Sequence, residues 1–444
     1  MQRDFVVTLL QNVGSRREIE RYLANFSQIE QTRFAVVKVG GGVLVEQLGD
    51  LAAALSFLHG MGLIPVVVHG ARPQLAAALA EAGIETQEIA GQSVVSSEIL
   101  AVARKVLQQE NLRLVEALEG HGTRARPITA GVFEAEPVAD RLGLAGQVTG
   151  IHREAITASI AAGHLPILSP LGATPGGQIL AIDSDAATRA LARALEPYKI
   201  VFLTSSGGLR DADGAIIDAV NLVEDLEPLL AQPWVQGGMR RQIIEIAQLL
   251  DQLPTSSSVS ITSPGHLARE LFTHRGSGTL VRKGEVVRCH ARFEDGDPRR
   301  LRELIEHAFG RPLDRSYFSE KIPHRIYLVD SYRAAAIVTL EGEVPYLDKF
   351  AVTREAQGAG IGASLWRRLQ SEHPALFWRA RSNNPINPWY FGNAEGSFRR
   401  DPWIVFWYGL GDFERIRACV ERALALPATL HTGGIAESSE PGHE

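Results

Sequence analysis

The residues best suited to chemistry in the first half of the chain lie beside glycine-rich turns. Lys38 lies two residues before the first glycine of the run in "VVKVGGGVL", and Gly70 belongs to "VVHGARPQLAAAL". Backbone N–H groups in such turns can hold phosphate oxygens, and a nearby lysine can neutralise a transferred phosphoryl group. Arg72, however, stands where a phosphate-binding loop needs a residue without a side chain. Because a glycine turn after a strand also forms without a ligand, these stretches indicate phosphate chemistry only in combination.

A second group of such residues lies in the last third of the chain, in "LDKFAVTREAQGAGIGASLWRRL". Gln357 to Gly362 form a glycine-rich turn that opens a predicted helix, and its N–H groups suit a pyrophosphate. No lysine of the nucleoside-triphosphate loop type follows. Nearby, Lys349, Arg379 and Arg381 supply three cations, and the two arginines share one face of a predicted strand. This group suits a dicarboxylate, which needs at least two cationic partners.

Two patterns of secondary structure position these residues. From residue 33 to about 253, short apolar strands such as "LIPVVVHG" alternate with helical stretches, which predicts an α/β domain with a mainly parallel sheet between helices. From about 287 to 426 the pattern is α+β, with "PYLDKFAVT", "ALFWRAR" and "WIVFWYGL" among its strands and a proline-rich loop before the last of these. The expected segments are an N-terminal helical segment (1–30), a first domain (31–284), a second domain (285–427) and a disordered tail (428–444).

Composition excludes several classes of protein. The chain has 444 residues and a formal net charge of −6, which gives no electrostatic reason to expect nucleic acid as a partner. With two cysteines, neither a disulfide framework nor a zinc site of thiolates is available, and no metal site is predicted. No apolar run approaches the roughly 20 residues of a membrane span, and the N-terminus lacks a signal-peptide layout. We expect a cytoplasmic protein without a membrane partner.

The motif order in the first domain resembles the amino acid kinase family, in particular N-acetylglutamate kinase. The resemblance covers residues 31–284 and rests on "VVKVGGGVL", "AIDSDAATRALARAL" and "GGMRRQIIEIAQLL". In that family two lysines flank the transferred phosphoryl group, an aspartate organises them and glycine amides hold the phosphates. The resemblance assigns these roles to five residues that are kept here: Lys38, Gly41, Gly42, Gly70 and Asp185.

The departures from the family pattern fall on functional positions. Arg72 replaces a loop glycine, and Ser93 stands at the place of the substrate-binding arginine. Ala181 replaces a polar substrate ligand, and Gln242 replaces the second lysine. Losing one cationic clamp in phosphoryl transfer typically costs several powers of ten in rate. We therefore predict a degenerate kinase domain that does not use ATP and magnesium, with its kept lysine and aspartate forming a salt bridge. A domain that still phosphorylates N-acetylglutamate with ATP is the alternative.

The second domain resembles the Gcn5-related acetyltransferases through "QGAGIG". Through "YLDKFAV", "LFWRARSNNPINPWYF" and "WIVFWYGL" it resembles more specifically the N-acetylglutamate synthase and bifunctional synthase/kinase family. The resemblance implies transfer of an acetyl group from acetyl-CoA to L-glutamate. It places acetyl-CoA at Phe350, Ala351, Val352, Gln357, Gly358, Gly360, Ile361 and Gly362. It places glutamate at Lys349, Arg379, Arg381 and Asn384. Tyr390, held by a loop stiffened by two prolines, is expected to be the general acid that protonates the CoA thiolate.

A last resemblance concerns regulation. The stretch "ARELFTHRGSGTLVRKGE" resembles the closing segment of arginine-sensitive family members, which implies L-arginine as an effector near Glu270, Gly276 and Gly278. A helix ended by a glycine cap is the alternative explanation of this stretch. Residues 3–25 resemble a helix that makes oligomer contacts in that family, so a homodimer or homotetramer is expected. Three hypotheses stay open: an acetyltransferase with a silent kinase domain, which we favour, a bifunctional synthase/kinase, and a non-catalytic arginine-sensing subunit.

Overall fold

A computed structural model of the chain describes residues 33–89, 92–254, 257–272, 277–353, 356 and 361–431. These residues divide into two compact units, with the division between Lys283 and Gly284. The predicted N-terminal helical segment lies outside the described residues, as do residues 432–444 of the predicted tail. Among the helices in the described ranges, none is long and apolar enough to cross a membrane.

The first unit contains one large sheet and its covering helices. Its strands are β1 (Ala35–Val39), β2 (Val66–His69), β3 (Glu88–Ile89), β4 (Gln92–Ser93), β5 (Ala125–Ile128), β6 (Phe133–Pro137), β7 (Ala145–Ile151), β8 (Leu165–Leu168), β9 (Leu171–Ala173), β10 (Ile179–Ile182), β11 (Lys199–Leu203), β12 (Ala219–Asn221), β13 (Ser258–Thr262) and β14 (Thr279–Arg282). Its α-helices are α1 (Gly41–Glu46), α2 (Leu48–Gly60), α3 (Arg72–Glu81), α4 (Ser97–Gly120), α5 (Glu154–Ala161), α6 (Ser184–Leu195), α7 (Leu222–Leu230), α8 (Gly237–Asp251) and α9 (Leu267–Phe272). Short 3-10 helices lie at Asp140–Leu142 and Pro264–His266.

The large sheet has the strand order β12-β14-β13-β11-β1-β2-β8-β5. Its six strands from β13 to β5 are parallel to one another, which confirms the predicted mainly parallel sheet. The central strands β1 and β2 are almost wholly buried, because helices cover both faces of a parallel sheet, and their residues are apolar except Lys38 and His69 near the carboxyl ends. Four further strands close into a small barrel in the order β10-β7-β6-β9.

The glycine turns of the first unit lie together at one edge of this sheet. The N–H of Gly40, just after β1, donates to the carbonyl of Leu203 at the end of β11 over 3.0 Å. The N–H of Gly70, just after β2, donates to the carbonyl of Val39 over 2.8 Å. The carboxyl ends of three neighbouring parallel strands therefore meet at one point, which is where open α/β sheets bind ligands.

The second unit is an α+β domain around one seven-stranded sheet. Its strands are β15 (Val287–His290), β16 (Arg325–Val329), β17 (Ala334–Leu340), β18 (Pro345–Val352), β19 (Leu376–Arg381), β20 (Gly396–Arg400) and β21 (Trp403–Tyr408). Its α-helices are α10 (Pro298–Phe309), α11 (Tyr317–Glu320), α12 (Ile361–Glu372), α13 (Asn387–Asn393) and α14 (Phe413–Ala425), and a 3-10 helix lies at Phe293–Asp295. The strand order is β15-β16-β17-β18-β19-β21-β20, antiparallel except between β18 and β19.

Both faces of the second sheet are covered. Along β16, Ile326 and Leu328 pack in a core with helix α10, while Tyr327 and Val329 pack in a core with helix α12. This alternation follows from the two-residue period of a strand, and it explains why "RIYLVD" is apolar at consecutive positions. Helix α14 packs through Val420 and Ala423 against β19 and β21.

Two irregularities of strand β18 shape this unit. β18 pairs with β19 only at Tyr346 and Leu347, so the two strands separate after Leu347. On its other side, β18 pairs with β17 through a bulge, since Lys349 faces Ile337 and Leu347 faces Val338. Asp348 is the extra residue of this bulge, and bulges re-aim side chains near functional sites.

The first residues of the predicted tail are not disordered, in contrast to our expectation. Leu430 forms an antiparallel bridge with Leu313, and the N–H of His431 donates to the carbonyl of Pro312 over 3.1 Å. We call Leu426–His431 the C-terminal strap. The Gly-, Ser- and acid-rich composition that suggested disorder begins only after this segment, so composition placed the boundary too early.

Candidate functional site

The first unit places Lys38 and Asp185 together at the edge where its glycine turns meet. Their charged atoms lie 2.8 Å apart, and their side chains are 13% and 15% exposed. Asp185 belongs to the first turn of α6, whose start is capped by Asp183 through the N–H groups of Asp185 and Ala186. The contact is an ion pair that lacks hydrogen-bond geometry at the Asp185 oxygen. The predicted salt bridge therefore exists and borders the edge of the sheet.

The two glycine turns at this edge are packed tightly against each other and against α3. A Cβ at Gly41 would lie 2.7 Å from Cδ of Pro73, and a Cβ at Gly70 would lie 3.0 Å from Oγ of Ser184. Gly42 is less crowded, since a Cβ there would lie 3.6 Å from Oγ of Ser205. Packing alone thus accounts for glycine at positions 41 and 70, whether or not a phosphate binds there.

Arg72 carries a guanidinium into the same region. It is the first residue of α3, and its Nη2 lies 3.2 Å from the Oδ2 atom of Asp183. Both side chains are well exposed, at 61% and 46%. Arg72 therefore forms an ion pair with Asp183, the residue that caps the start of α6 and lies two positions before Asp185.

In the second unit, Tyr390 lies in a cage of aromatic rings. Its ring centroid is 5.5 Å from that of Trp378 and 5.6 Å from that of Trp389, and the residue is 6% exposed. Burial raises the pKa of Tyr390 above its ordinary value. The phenol is therefore protonated at neutral pH and able to donate a proton.

The segment that carries Tyr390 is helical, so our prediction of a stiff loop was wrong. Helix α13 runs from Asn387 to Asn393 with Pro388 in its first turn. Proline has no N–H and a fixed φ, which suits the first turn of a helix, so the residue that suggested a loop starts a helix instead. Asn384 lies just before it, and its side-chain oxygen accepts the N–H of Ile386 over 3.3 Å.

The separation of β18 from β19 creates a gap beside this cage. Phe350 stacks on Trp389, with ring centroids 5.6 Å apart and an angle of 15°. Ala351 and Ile361 are buried, and a Cβ at Gly362 would lie 3.5 Å from Val352. The end of β18 therefore adjoins the start of α12. Gln357, Gly358 and Gly360 lie outside the described residues.

Lys349 is buried and fully occupied by protein acceptors. Its Nζ donates to Oδ2 of Asp348 over 2.5 Å, to the Asp348 carbonyl over 3.2 Å and to Oγ1 of Thr429 over 2.8 Å. Burial alone would raise the pKa of Asp348, but Lys349 and the Tyr317 hydroxyl, which donates over 2.6 Å, hold it below its ordinary value. Lys349 and Asp348 therefore form a buried ion pair, and each has a further hydrogen-bond partner, Thr429 for the lysine and Tyr317 for the aspartate.

The two predicted substrate arginines share one tryptophan. The guanidinium carbon of Arg379 lies 4.1 Å from the ring centroid of Trp403, and that of Arg381 lies 5.1 Å from it. Arg379 also donates to the carbonyls of Ala423, Leu426 and Pro427 over 2.6, 2.8 and 2.7 Å. Arg381 is partly exposed and forms no ion pair within the described part of the chain.

Sequence profiles of two families match the chain. That of the amino acid kinase family covers residues 33–254, which is half of the chain. That of the N-acetyltransferase of N-acetylglutamate synthase covers residues 288–425. The chain belongs to the amino acid kinase family. Its second unit is an N-acetyltransferase domain of the N-acetylglutamate synthase type.

Similar proteins share both domains. An acetylglutamate kinase of Xanthomonas campestris is 50% identical, and the match spans 94% of this chain and all of that protein. The mitochondrial N-acetylglutamate synthase of Homo sapiens is 36% identical over this whole chain and 81% of its own. A structure of N-acetylglutamate synthase from Neisseria gonorrhoeae, complexed with coenzyme A and N-acetyl-glutamate, is 22% identical with a TM-score of 0.59 and covers 88% of this chain and 97% of its own. The last similarity shows the fold.

The remaining departures from the kinase pattern are spread over the amino acid kinase domain. Gln242 is partly buried on α8, which contacts α6 through an ion pair of 2.6 Å between Arg189 and Glu245. Ser93 is exposed on β4, and Ala181 is half-buried on β10 of the small barrel. None of these three side chains carries a charge, so no cation stands at the positions that the family pattern reserves for one.

The candidate arginine residues of this domain lie near a buried lysine. Glu270 is buried on α9 and accepts the N–H of Ser277 over 3.1 Å. Burial lowers the pKa of Lys199, and the charge of Glu270 opposes that change. Gly278 approaches β13 so closely that a Cβ would overlap the carbonyl oxygen of Ile261. Gly276 lies outside the described residues.

Sequence reasoning missed three residues of the N-acetyltransferase domain that touch predicted site residues. These are Asp348, Trp403 and Thr429. Trp403 could have been found, because an antiparallel partner for the arginine strand must place a residue opposite Arg381. Thr429 carries no local signal, since its contact with Lys349 joins residues 80 positions apart.

Proposed function

We propose that the second unit transfers an acetyl group from acetyl-CoA to the amine of L-glutamate. One observation carries the proposal: a buried, protonated tyrosine lies beside the gap between two strands of an N-acetyltransferase domain, and two stacked arginines lie on one of those strands. A proton donor suits the leaving thiolate, and paired cations suit a dicarboxylate.

Acetyl-CoA would lie in the gap after Leu347, where β18 leaves β19. An extended chain with amide groups can pair with the open strand edge at Phe350, Ala351 and Val352 as an added strand would. The start of α12 at Ile361 would lie near the pyrophosphate, because helix N-termini favour anions.

The reaction balances with the residues present. The uncharged amine of glutamate forms a C–N bond to the thioester carbonyl carbon, and backbone N–H groups near the end of β18 stabilise the oxyanion. The C–S bond breaks, and Tyr390 donates its proton to the thiolate. The proton that the amine loses restores the phenol through solvent. Arg381 and the unassigned N–H groups of Arg379 hold the substrate carboxylates.

For the amino acid kinase domain we propose loss of phosphoryl transfer. Gln242 supplies no charge, and Arg72, which stands where the family pattern has a glycine, pairs with Asp183 at the surface. A second candidate function is phosphorylation of N-acetylglutamate by ATP. The intact pair of Lys38 and Asp185, together with 50% identity to a protein called acetylglutamate kinase, favours that alternative.

Regulation by L-arginine is part of the proposal for the same domain. A neighbouring structure of N-acetylglutamate synthase from Neisseria gonorrhoeae is complexed with coenzyme A and L-arginine. In this chain Glu270 supplies a buried carboxylate, which suits a guanidinium or an amino group. We also propose a homo-oligomer, a dimer or tetramer, as the resemblance of residues 3–25 implies.

The test is release of free thiol from acetyl-CoA by purified protein, with and without L-glutamate, and with mass spectrometry of the product. We expect glutamate-dependent release together with N-acetylglutamate. A folded protein that releases no thiol would refute the transferase. A parallel assay with ATP and magnesium measures ADP with and without N-acetylglutamate, and ADP formation that depends on N-acetylglutamate at enzyme-like rates would establish the kinase alternative.

A further inference from the structure

The cation closest to the bulge of β18 has no donor left for a substrate. Lys349 has three N–H bonds, and the three acceptors around it are the Asp348 carboxylate, the Asp348 carbonyl and the Thr429 hydroxyl. Its side chain is 5% exposed. A substrate carboxylate could reach this ammonium only by displacing one of the three.

Some N–H bonds of the Arg379 guanidinium donate to protein carbonyls, and others do not. A guanidinium has five N–H bonds, and Arg379 uses both of Nη1 and one of Nη2 for the carbonyls of Ala423, Leu426 and Pro427. The Nε bond and the second Nη2 bond have no acceptor within the described residues. These two bonds form a fork of the kind that binds a carboxylate with two parallel hydrogen bonds.

The same short segment supplies half of these six acceptors. Leu426, Pro427 and Thr429 belong to the C-terminal strap, and the carbonyl of Thr429 also accepts the N–H of Asp314 over 3.0 Å. His431 extends the attachment, with its Nε2 3.7 Å from Oδ2 of Asp314. The strap is therefore fixed to a neighbouring loop at one end and to the two cations at the other.

We propose that the C-terminal strap is part of the glutamate site of the N-acetyltransferase domain, with Thr429 as a positioning residue. In this arrangement Lys349 anchors the strap through Thr429, and the strap carbonyls orient Arg379 so that its open fork faces the substrate. Lys349 thus also acts on glutamate through the strap. The inference rests on the proposed function.

The stacking of Trp403 completes this positioning. The carbonyls fix one edge of the Arg379 guanidinium and the indole fixes its plane, so little freedom remains in the open fork. Arg381, two residues further along the strand, has its guanidinium carbon 5.1 Å from the centroid of the same indole. Two cations at a fixed spacing can distinguish a dicarboxylate by the distance between its carboxylates.

The test compares Thr429→Val with Thr429→Ser in the full chain. Valine keeps the shape of threonine but removes the acceptor of Lys349, whereas serine keeps the hydroxyl. We expect the valine variant to raise the KM for glutamate about tenfold with kcat within about twofold, as loss of one hydrogen bond to a charged group predicts. The serine variant should restore the wild-type KM. Thr157→Val, at an exposed position of the first unit, should change nothing.

Hydrogen exchange gives a second readout that does not need turnover. Amides of residues 423–431 should exchange faster in Thr429→Val than in Thr429→Ser, and glutamate should slow them in the wild type. An unchanged KM in the valine variant would overturn the proposal, because the strap would then be structural only. A lowered KM would overturn it too, because Thr429 would then compete with glutamate for Lys349.

The two proposals fail in different ways. Absence of thiol release by the wild-type protein would refute the transferase function. The anchoring of the strap would still be decided by hydrogen exchange, and equal exchange in the valine and serine variants would overturn it.

Discussion

Each unit contains a lysine–aspartate pair, and the two pairs differ in what surrounds them. Lys38 and Asp185 join two elements at the edge of the parallel sheet, with each side chain more than a tenth exposed. Lys349 and Asp348 are adjacent residues in a bulge, with side chains 5% and 7% exposed and further partners on both sides. The first pair is a single ion pair at the sheet edge, whereas the second is more deeply buried and bonded to Tyr317 and Thr429 as well.

The two lysines show that a match to a family motif does not by itself fix the contacts that a side chain makes. Both lysines match motif positions of their families, and by resemblance both are ligand-binding cations. Their contacts differ: Lys38 is 13% exposed and pairs with Asp185, whereas Lys349 is 5% exposed and donates to Asp348 and Thr429. Variants that remove each lysine test this contrast most directly.

We expect Lys349→Met to lower the free energy of unfolding of the second unit by about 3 kcal/mol, because it removes the nearer cation from buried Asp348 and leaves only Lys321, whose Nζ is 3.8 Å from Oδ1 of Asp348. Lys38→Met should cost the first unit less, about 1–2 kcal/mol, since Asp185 is 15% exposed and keeps some contact with water after its partner is removed. Tryptophan fluorescence during urea unfolding follows the second unit, which holds five of the six tryptophans. Circular dichroism follows both units.

A double variant, Lys349→Met with Asp348→Leu, serves as the control for this prediction. Replacing both partners of a buried pair by apolar side chains is often nearly neutral, so most of the stability should return. Equal losses of stability in the two single lysine variants would remove the contrast between the pairs.

The next largest effect should come from replacing Tyr390 in the acetyltransferase motif of the second unit. Tyr390→Phe removes the proposed proton donor and keeps the ring in its aromatic cage. We expect kcat for thiol release to fall about 10²–10³-fold with little change in KM, which is the usual range for general acid catalysis. Tyr198→Phe, at an exposed position of the first unit, is the matched control. A kcat within about threefold of wild type would remove Tyr390 from the mechanism.

The first unit should respond to acid through a buried histidine next to its sheet edge. Burial lowers the pKa of His69 to about 4. Between that value and the unfolded value of about 6.5, the unfolded chain binds a proton that the folded chain does not. Stability present above about pH 6.5 is therefore lost as the pH falls towards 4, by about 3 kcal/mol for this residue.

Circular dichroism during urea unfolding at pH 7 and pH 4.5 measures this loss. His69→Asn should flatten the dependence, whereas His152→Asn, at an exposed position, should leave it intact. If the two variants showed the same slope, another group would be responsible for the acid sensitivity.

The smallest expected effect is an increase in the affinity of the first unit for magnesium–ATP. The double variant Arg72→Gly with Gln242→Lys restores both the open glycine turn and the missing cation of the kinase pattern. We expect it to bind magnesium–ATP about tenfold more tightly than the wild type, as added cationic contacts to phosphates predict. Arg72→Lys with Gln242 unchanged keeps a charged side chain in the turn and should show no gain. Calorimetric titration gives the affinities, and tight binding by the wild type would contradict the loss of kinase function.

Features that depend on short stretches of sequence could be predicted, namely the parallel strands, one ion pair and one shared strand face. The parallel strands could be predicted because each is a short apolar run, and such strands must be buried on both faces. The pair of Lys38 and Asp185 followed from motif order, since strand ends and helix starts meet at one edge of such a sheet. The spacing of Arg379 and Arg381 gave their shared face through the two-residue period of a strand.

What the sequence could not show depends on long-range register. The bulge at Asp348 is a property of the pairing between β17 and β18, which no single strand encodes. The contacts of Arg379 with Ala423 and Pro427 join segments more than 40 positions apart. The helix at Tyr390 was missed for a different reason, because Pro388 suits both a stiff loop and the first turn of a helix.

The strap also bears on when the protein becomes active during its synthesis. Chains emerge from the ribosome N-terminus first, at about 5–20 residues per second, and domains fold as they become available. The last described strand of the first unit ends at Arg282, so that unit can fold while the second is still being translated. The acceptor for Lys349 comes 80 residues after it, and the Leu313 bridge needs Leu430. If the strap completes the glutamate site, a nascent chain still attached within that stretch has a folded first unit and no working transferase.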